Sequence, residues 1–304
     1  MISKKFKKIV MNMTISTMIF SIIPISVQAK EINKSFLKTQ SIDAVDKTTL
    51  EYTGGKSNKA TEGTDNLMAS YKVKDGQLQL KSNKKLSKND IEKHKIMWER
   101  VKQIIPKAYL NTINRFDVVT DEKDNTMAYV DSDDSNTIWT FGLNIQDAFD
   151  EKGKLLNKDL NETIVHEFGH IITLNYKQIE PELKENSATY VTDEGTTKKQ
   201  SYLNIFYQKF WSNIYGDYKK SNSIKANQND EQENLAFYEK YKNQFVSEYA
   251  STNPEEDIAE CFRVFVFQNK PSGKTIAEKK VLLFYNFPEL VKMRKEIRNN
   301  LKLK

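Results

Sequence analysis

Two histidines and a glutamate in one short stretch could bind a metal ion. Residues 166–170 read His-Glu-Phe-Gly-His. Each residue of an α-helix turns by about 100°, so His166 and His170 lie about 40° apart, one turn above the other. Glu167 lies about 60° from His170, where it can hold a proton without binding the metal. This geometry is typical of a zinc site with an adjacent general base. A hydrogen-bonded histidine pair in a core is the alternative interpretation.

A catalytic zinc ion needs three protein ligands and one open position, so the chain must supply one more ligand. The only other histidine is His94, which lies upstream among charged residues, and no histidine follows His170. We therefore expect a glutamate or an aspartate. Glu256 and Glu260 are the best candidates because they lie four residues apart on one face of a predicted helix. One could bind zinc while the other accepts a hydrogen bond from a ligand histidine.

The start of this predicted helix allows a second interpretation. Thr252 or Asn253 can cap the helix, and Pro254 suits its first turn. A glutamate of that turn, Glu256 included, could then complete a capping box instead of binding a metal. Glu260 lies beyond the first turn among apolar residues, so capping does not account for it.

The helix that carries the two histidines is predicted to be buried. Its apolar residues between 164 and 172 form one helix face, and the histidines lie off that face. Gly169 destabilises a helix by about 1 kcal/mol relative to alanine. A close approach of another backbone would explain this glycine.

The surrounding pattern predicts an α+β fold that is mostly helical and contains a small sheet. Ser87 begins a helix that ends near Pro106. Residues 116–120 and 127–130 are predicted to form a hairpin, and residues 137–145 a third strand. Helical periodicity then dominates to the C-terminus.

The N-terminal region divides into two parts. Residues 1–29 have a basic start, a largely apolar stretch and small residues at Val27 and Ala29, as in a secretory signal. We expect cleavage after Ala29 and secretion to the extracellular space. Residues 30–86 are polar and hold only three aromatic residues, which predicts a flexible leader or propeptide-like segment. The folded domain is predicted to span residues 87–304.

Composition disfavours several other functions. The chain has 47 Lys and Arg against 41 Asp and Glu, and without the four lysines of the signal the balance is 43 against 41. A nucleic-acid-binding domain would show a stronger basic excess, so no nucleic-acid partner is expected. Cys261 is the single cysteine, which excludes an internal disulfide. No segment after the signal is apolar enough to span a bilayer, so we expect no stable membrane insertion once the signal is removed.

The pattern HEFGH, followed much later by Tyr-x6-Glu-x3-Glu-x-Phe, resembles the catalytic domain of anthrax lethal factor and the secreted Pro-Pro endopeptidases. These proteins are gluzincin-type zinc metallopeptidases. The resemblance extends from about residue 87 to residue 304 and is specific at 166–170 and 249–262. One departure is the separation of His170 from Glu256 by 85 residues, with the excess expected between residues 187 and 234.

The resemblance implies a role for each matching residue. His166 and His170 would bind one zinc ion per chain, with Glu256 as the third ligand and Glu167 as the general base. Tyr249 would donate a hydrogen bond to the oxyanion of the scissile carbonyl, and Glu260 would support a ligand histidine.

The resemblance also concerns the sheet and the substrate. The strand before the HEFGH helix would be the edge strand of a zincin-like sheet. Residues 139–143 would then pair with an extended substrate.

These observations predict a secreted zinc-dependent endopeptidase acting on a protein or peptide substrate. The alternative is an inactive zinc-binding protein of the same fold that binds a surface or a matrix. Two further alternatives are a secreted factor that binds through residues 30–86 and an amide hydrolase with the same zinc chemistry. Subsite specificity and oligomeric state do not follow from the sequence.

Overall fold

The computed structural model describes residues 9–12, 67–81, 86–120, 126–184, 186–224 and 230–303. This part of the chain contains both helices and sheets, which confirms the α+β class. Its strands are β1 (Ile9–Asn12), β2 (Leu67–Lys74), β3 (Gln77–Leu80), β4 (Ile113–Val119), β5 (Thr126–Ser132), β6 (Trp139–Asn144), β7 (Ile179–Glu180), β8 (Val191–Thr192) and β9 (Gly195–Thr197). Its α-helices are α1 (Lys88–Ile104), α2 (Lys107–Leu110), α3 (Ile145–Ala148), α4 (Asn157–Leu174), α5 (Tyr202–Phe210), α6 (Tyr215–Ile224), α7 (Asp230–Tyr241), α8 (Pro254–Phe267), α9 (Ile276–Leu283) and α10 (Pro288–Asn300).

The larger sheet has the strand order β1-β5-β6-β4-β2-β3. Strand β6 runs parallel to β4, and the other neighbours are antiparallel. The prediction that residues 139–143 form an edge strand is therefore wrong, because β5 and β4 already use both sides of β6. All six residues of β6 are buried, as is typical of a strand covered on both faces.

The predicted hairpin of residues 116–120 and 127–130 is also wrong, because β6 lies between β4 and β5. A glycine in β6 lets these strands interact across it. The ring of Tyr129 on β5 lies over Gly142, where an added Cβ would be 2.1 Å from a ring carbon. Its hydroxyl donates to Oδ2 of Asp117 on β4 at 2.8 Å. The hairpin was predicted because its two segments are close in sequence. The structure instead places β6 between β4 and β5, and the six buried residues of β6 fit a central strand.

The sheet begins before the predicted domain boundary near Ser87. Strands β2 and β3 form an antiparallel pair, and β2 also pairs with β4. Ala69 and Tyr71 of β2 are buried in the hydrophobic core, and the Tyr71 hydroxyl lies 2.7 Å from Nδ1 of His94 on α1. Residues 67–81 therefore belong to the folded domain and not to a leader. Few residues of these strands are buried, and they alternate with polar residues. The composition of the segment therefore did not indicate that it folds.

The predicted signal and the rest of the predicted leader lie largely outside the described residues. The exception is β1, which falls within the predicted signal and pairs with β5. Among the described helices, none is both long and apolar enough to cross a bilayer.

Helices α4 and α8 pack against each other where Gly169 faces Ala259. A Cβ added to Gly169 would lie 3.1 Å from the Cα of Ala259 and 3.3 Å from its Cβ. The predicted close approach of another backbone at Gly169 is thus confirmed. Between these two helices the chain forms the small sheet β7-β9-β8 and helices α5–α7.

Candidate metal centre

Helix α4 carries His166, Glu167 and His170 into the protein interior. All three side chains have 0% exposure. Apolar residues flank them on the same helix and belong to the main hydrophobic core. A charged or hydrogen-bonding group at such depth needs partners, because an unpaired one is strongly destabilising.

Three side-chain atoms converge beside α4. His166 Nε2 lies 3.0 Å from Glu256 Oε2 and 3.1 Å from His170 Nε2. The third side of the triangle, from His170 Nε2 to Glu256 Oε2, is 3.4 Å. These three residues could hold a metal ion, because each offers one ligand atom to the same point.

The N-terminal turn of α8 positions Glu256. Asn253 caps the helix, and its side chain accepts a hydrogen bond from the backbone N–H of Glu256 at 2.7 Å. Pro254 occupies the first turn, where its missing N–H carries no penalty. The predicted cap is confirmed, but it uses the backbone of Glu256. The Glu256 side chain remains free to face the two histidines.

Glu260 lies one turn further along α8 and cannot be the third ligand in this arrangement, because its carboxylate is fully engaged. Oε1 lies 2.9 Å from His166 Nδ1 and 3.0 Å from Arg263 Nε, which donates to it. Oε2 accepts from Ser247 Oγ at 2.6 Å and from Arg263 Nη2 at 3.1 Å. A hydrogen bond from Nδ1–H to Glu260 leaves the Nε2 lone pair of His166 directed at the ligand triangle.

The carboxylates favour positive charge between them. Burial lowers the pKa of His166, but hydrogen bonds with Glu256 and Glu260 outweigh burial and raise it to about 10. Burial raises the pKa of Glu256, but the two histidines outweigh it and lower this pKa to about 2. The pKa of Glu260 falls well below its usual range, because Arg263 and His166 overcome the effect of burial. Burial lowers the pKa of His170.

The balance of buried charge also fits a bound cation. Four glutamates of α4 and α8 are buried, namely Glu162, Glu167, Glu256 and Glu260, and Arg263 is the buried guanidinium that pairs with two of them. Arg263 and His166, whose pKa is raised to about 10, supply two positive charges against these four carboxylates. A divalent ion at the ligand triangle would compensate the remaining charge.

Tyr249 lies beside the triangle in a short 3-10 turn, Tyr249–Ser251, that precedes α8. Its side chain is buried, and its ring centroid lies 5.7 Å from that of His166. The structure therefore brings together the six residues predicted for the zinc site, which are His166, Glu167, His170, Tyr249, Glu256 and Glu260.

Sequence reasoning missed three residues of this centre: Arg263, Ser247 and Glu162. The spacing of three residues between Glu260 and Arg263 on a predicted helix was a usable signal, because such residues are neighbours on a helix surface. Glu162 lies four residues before His166 on α4 and could have been found in the same way. No local pattern marks Ser247.

Comparison of the chain with protein families, curated proteins and solved structures finds no match.

Proposed function

We propose that this chain is a secreted zinc-dependent endopeptidase that hydrolyses peptide bonds in protein or peptide substrates. The observation that carries the proposal is the convergence of His166 Nε2, His170 Nε2 and Glu256 Oε2 at 3.0–3.4 Å. Tetrahedral ligands about 2.0–2.1 Å from zinc lie about 3.3 Å from one another. Two imidazoles and one carboxylate also form a ligand set of catalytic zinc sites that keep a fourth position open.

The spacing of the site residues supports the same proposal. The centre combines HEFGH on one helix with Tyr249, Glu256 and Glu260 near the start of another, the pattern in which the sequence resembles lethal factor and the Pro-Pro endopeptidases. The zincin-like fold is part of this proposal.

Zinc, when bound, would supply a Lewis acid and lower the pKa of a coordinated water to about 7. Glu167 takes the proton from the attacking water and passes it to the leaving amine. Tyr249 donates a hydrogen bond to the oxyanion that develops on the scissile carbonyl, an effect of about 2.7–4 kcal/mol for a comparable donor. Glu260 holds His166 in the tautomer that leaves Nε2 unprotonated.

The test compares the full chain with its Glu167→Gln variant. Zinc per chain is measured by elemental analysis, and cleavage is measured on a mixed peptide library. We expect one zinc per chain in both proteins and cleavage by the wild type alone, because Gln keeps the shape of Glu but cannot accept the proton.

Each other outcome rejects part of the proposal. Zinc in both proteins with no cleavage by either would favour the inactive zinc-binding protein of the same fold. A zinc-free wild type would leave the histidines as a hydrogen-bonded pair.

A further inference from the structure

Helices α4 and α8 face each other through two matched rows of polar residues. Glu162, His166 and His170 follow one another at intervals of four residues on α4. The matching row on α8 is Arg263, Glu260 and Glu256. The two rows run antiparallel to each other. Arg263 contacts Glu162, Glu260 contacts His166, and Glu256 contacts both histidines. The proposed metal site thus lies at one end of these two rows of buried polar residues.

Arg263 is the only positively charged side chain in these two rows besides the histidines. It is 2% exposed. Nε and Nη2 donate to the two oxygens of Glu260 at 3.0 and 3.1 Å, and Nη1 donates to Glu162 Oε2. The guanidinium therefore holds the plane of the Glu260 carboxylate in a two-point contact and ties it to α4.

This two-point contact fixes the orientation of the Glu260 carboxylate and, through it, the orientation of the His166 imidazole. A buried carboxylate held by one hydrogen bond can rotate about its side-chain torsions, whereas the fork of Arg263 and the Ser247 hydroxyl leave Glu260 one orientation. In that orientation Oε1 faces His166 Nδ1 at 2.9 Å. The imidazole plane, and with it the direction of Nε2, follows from the position of Glu260.

We propose that Arg263 is a positioning residue for the metal centre, acting on His166 through Glu260. Arg263 does not touch the ion or the substrate. This inference rests on the metal binding of the proposed function and adds to it the group that sets the ligand geometry.

The test measures zinc affinity by competition with a chromogenic chelator at fixed pH, using the full chain. Loss of a partner that supports a ligand typically lowers metal affinity by about 10- to 100-fold. We expect Glu260→Gln to fall in that range. Arg263→Lys keeps the charge but loses the fork, so we expect a loss of about tenfold.

The double variant Arg263→Lys/Glu260→Gln distinguishes positioning from a general structural role. If Arg263 acts through Glu260, the double variant binds zinc about as tightly as Glu260→Gln alone. Additive losses would overturn the inference. Ser247→Ala provides a second arm that leaves both charges in place, and we expect a loss of about threefold because one donor to Glu260 is removed.

A matched control removes a different buried ion pair from the same helix. Asp257 on α8 pairs with Lys280 on α9 at 2.6 Å, and both have 0% exposure. The double variant Asp257→Asn/Lys280→Met should lower the unfolding temperature but leave zinc affinity within threefold. An equal loss of affinity in this control would show that any buried pair on α8 matters and would reject a specific role of Arg263.

Failure of this inference differs from failure of the proposed function. A wild type that binds no zinc rejects both. The inference alone is rejected if the wild type binds zinc and the Arg263→Lys variant binds it equally tightly. That variant must also show a cooperative thermal unfolding transition, which establishes that it is folded.

Discussion

Gly169 and Ala259 bring α4 and α8 into backbone contact, with the Cα of Ala259 3.1 Å from the point where a Cβ on Gly169 would lie. The glycine belongs to the same helical turn as His170, and Ala259 lies between Glu256 and Glu260 in sequence. The helix separation at this contact therefore sets the distance between the histidines and the glutamates.

Gly169→Ala is expected to weaken zinc binding by about tenfold or more. The new methyl group must push α8 away by a few tenths of an ångström, and that displacement opens the ligand triangle. Alanine favours the helix by about 1 kcal/mol, while overpacking opposes it by about 1–3 kcal/mol. We therefore expect unfolding stability to change by less than zinc affinity does. Chelator competition and thermal unfolding measure the two effects.

Gly216→Ala is the matched control for this substitution. Gly216 lies on α6, and a Cβ there would meet no atom within 4 Å. It should raise stability slightly through helix propensity and leave zinc affinity unchanged. If Gly169→Ala behaves like Gly216→Ala, the close contact does not control the metal centre.

Glu256→Gln is expected to reduce zinc affinity by more than about 100-fold, because loss of a ligand should exceed the loss caused by a supporting residue. Glu255→Gln is its neighbour and control. Burial, with the nearby Glu194 and Asp193, raises the pKa of Glu255 to about 8. Glu255 is therefore mostly protonated at pH 7, and Gln resembles it closely. Equal zinc affinities of the two variants would reject Glu256 as the ligand.

Tyr249→Phe is expected to keep zinc and lose turnover. The phenylalanine ring can occupy the same buried place beside His166, so metal content should not change. Loss of an oxyanion donor lowers kcat by about 100- to 1,000-fold in a comparable site. The measurement is kcat on a peptide selected from the library. An unchanged kcat would place the Tyr249 hydroxyl outside the reaction.

His94 is expected to make the fold acid-sensitive. It has 0% exposure, and its Nε2 has no hydrogen-bond partner within the described part of the chain. Burial lowers its pKa from 6.5, against the opposing charge of Asp90. The unfolded chain therefore binds this proton more readily, so the contribution of neutral His94 is complete above pH 6.5 and is lost as the pH falls below 6.5.

Urea unfolding at pH 7 and pH 5 measures this effect. The wild type should lose unfolding free energy over this interval, and His94→Gln should lose less. His170 has a lowered pKa as well and contributes to both proteins, so the difference between the two proteins isolates His94. Parallel pH profiles would contradict the assignment.

The candidate metal centre was largely predictable because its residues repeat at helical intervals. His166 and His170, and Glu256 and Glu260, are pairs of this kind, and the structure brings both pairs together. Spacing left the choice between Glu256 and Glu260 open, the resemblance implied Glu256, and the structure places Glu256 beside the Nε2 atoms of both histidines. Spacing within α8 places Arg263 beside Glu260, but the contacts of Glu260 with Ser247 and with His166 are seen only in the structure.

The sheet was less predictable because strand order depends on contacts between distant segments. The Ser87 cap is correct and forms a capping box with Asp90. The pairing of β6 between β4 and β5, however, includes a contact that local patterns do not reveal, in which the Tyr129 ring lies over Gly142. Strands β2 and β3 bury few side chains, so their composition resembles that of an unfolded segment.

Lys280 offers a way to follow local opening by chemical labelling. Its ammonium lies 2.6 Å from Asp257 Oδ2 and 4.0 Å from the centre of the Phe245 ring, with no exposure to solvent. An amine-reactive reagent in water reaches it only when α9 separates from α8, whereas surface lysines react at once. The rate at which Lys280 is labelled therefore reports how often the contact between α8 and α9 opens while the rest of the protein stays folded.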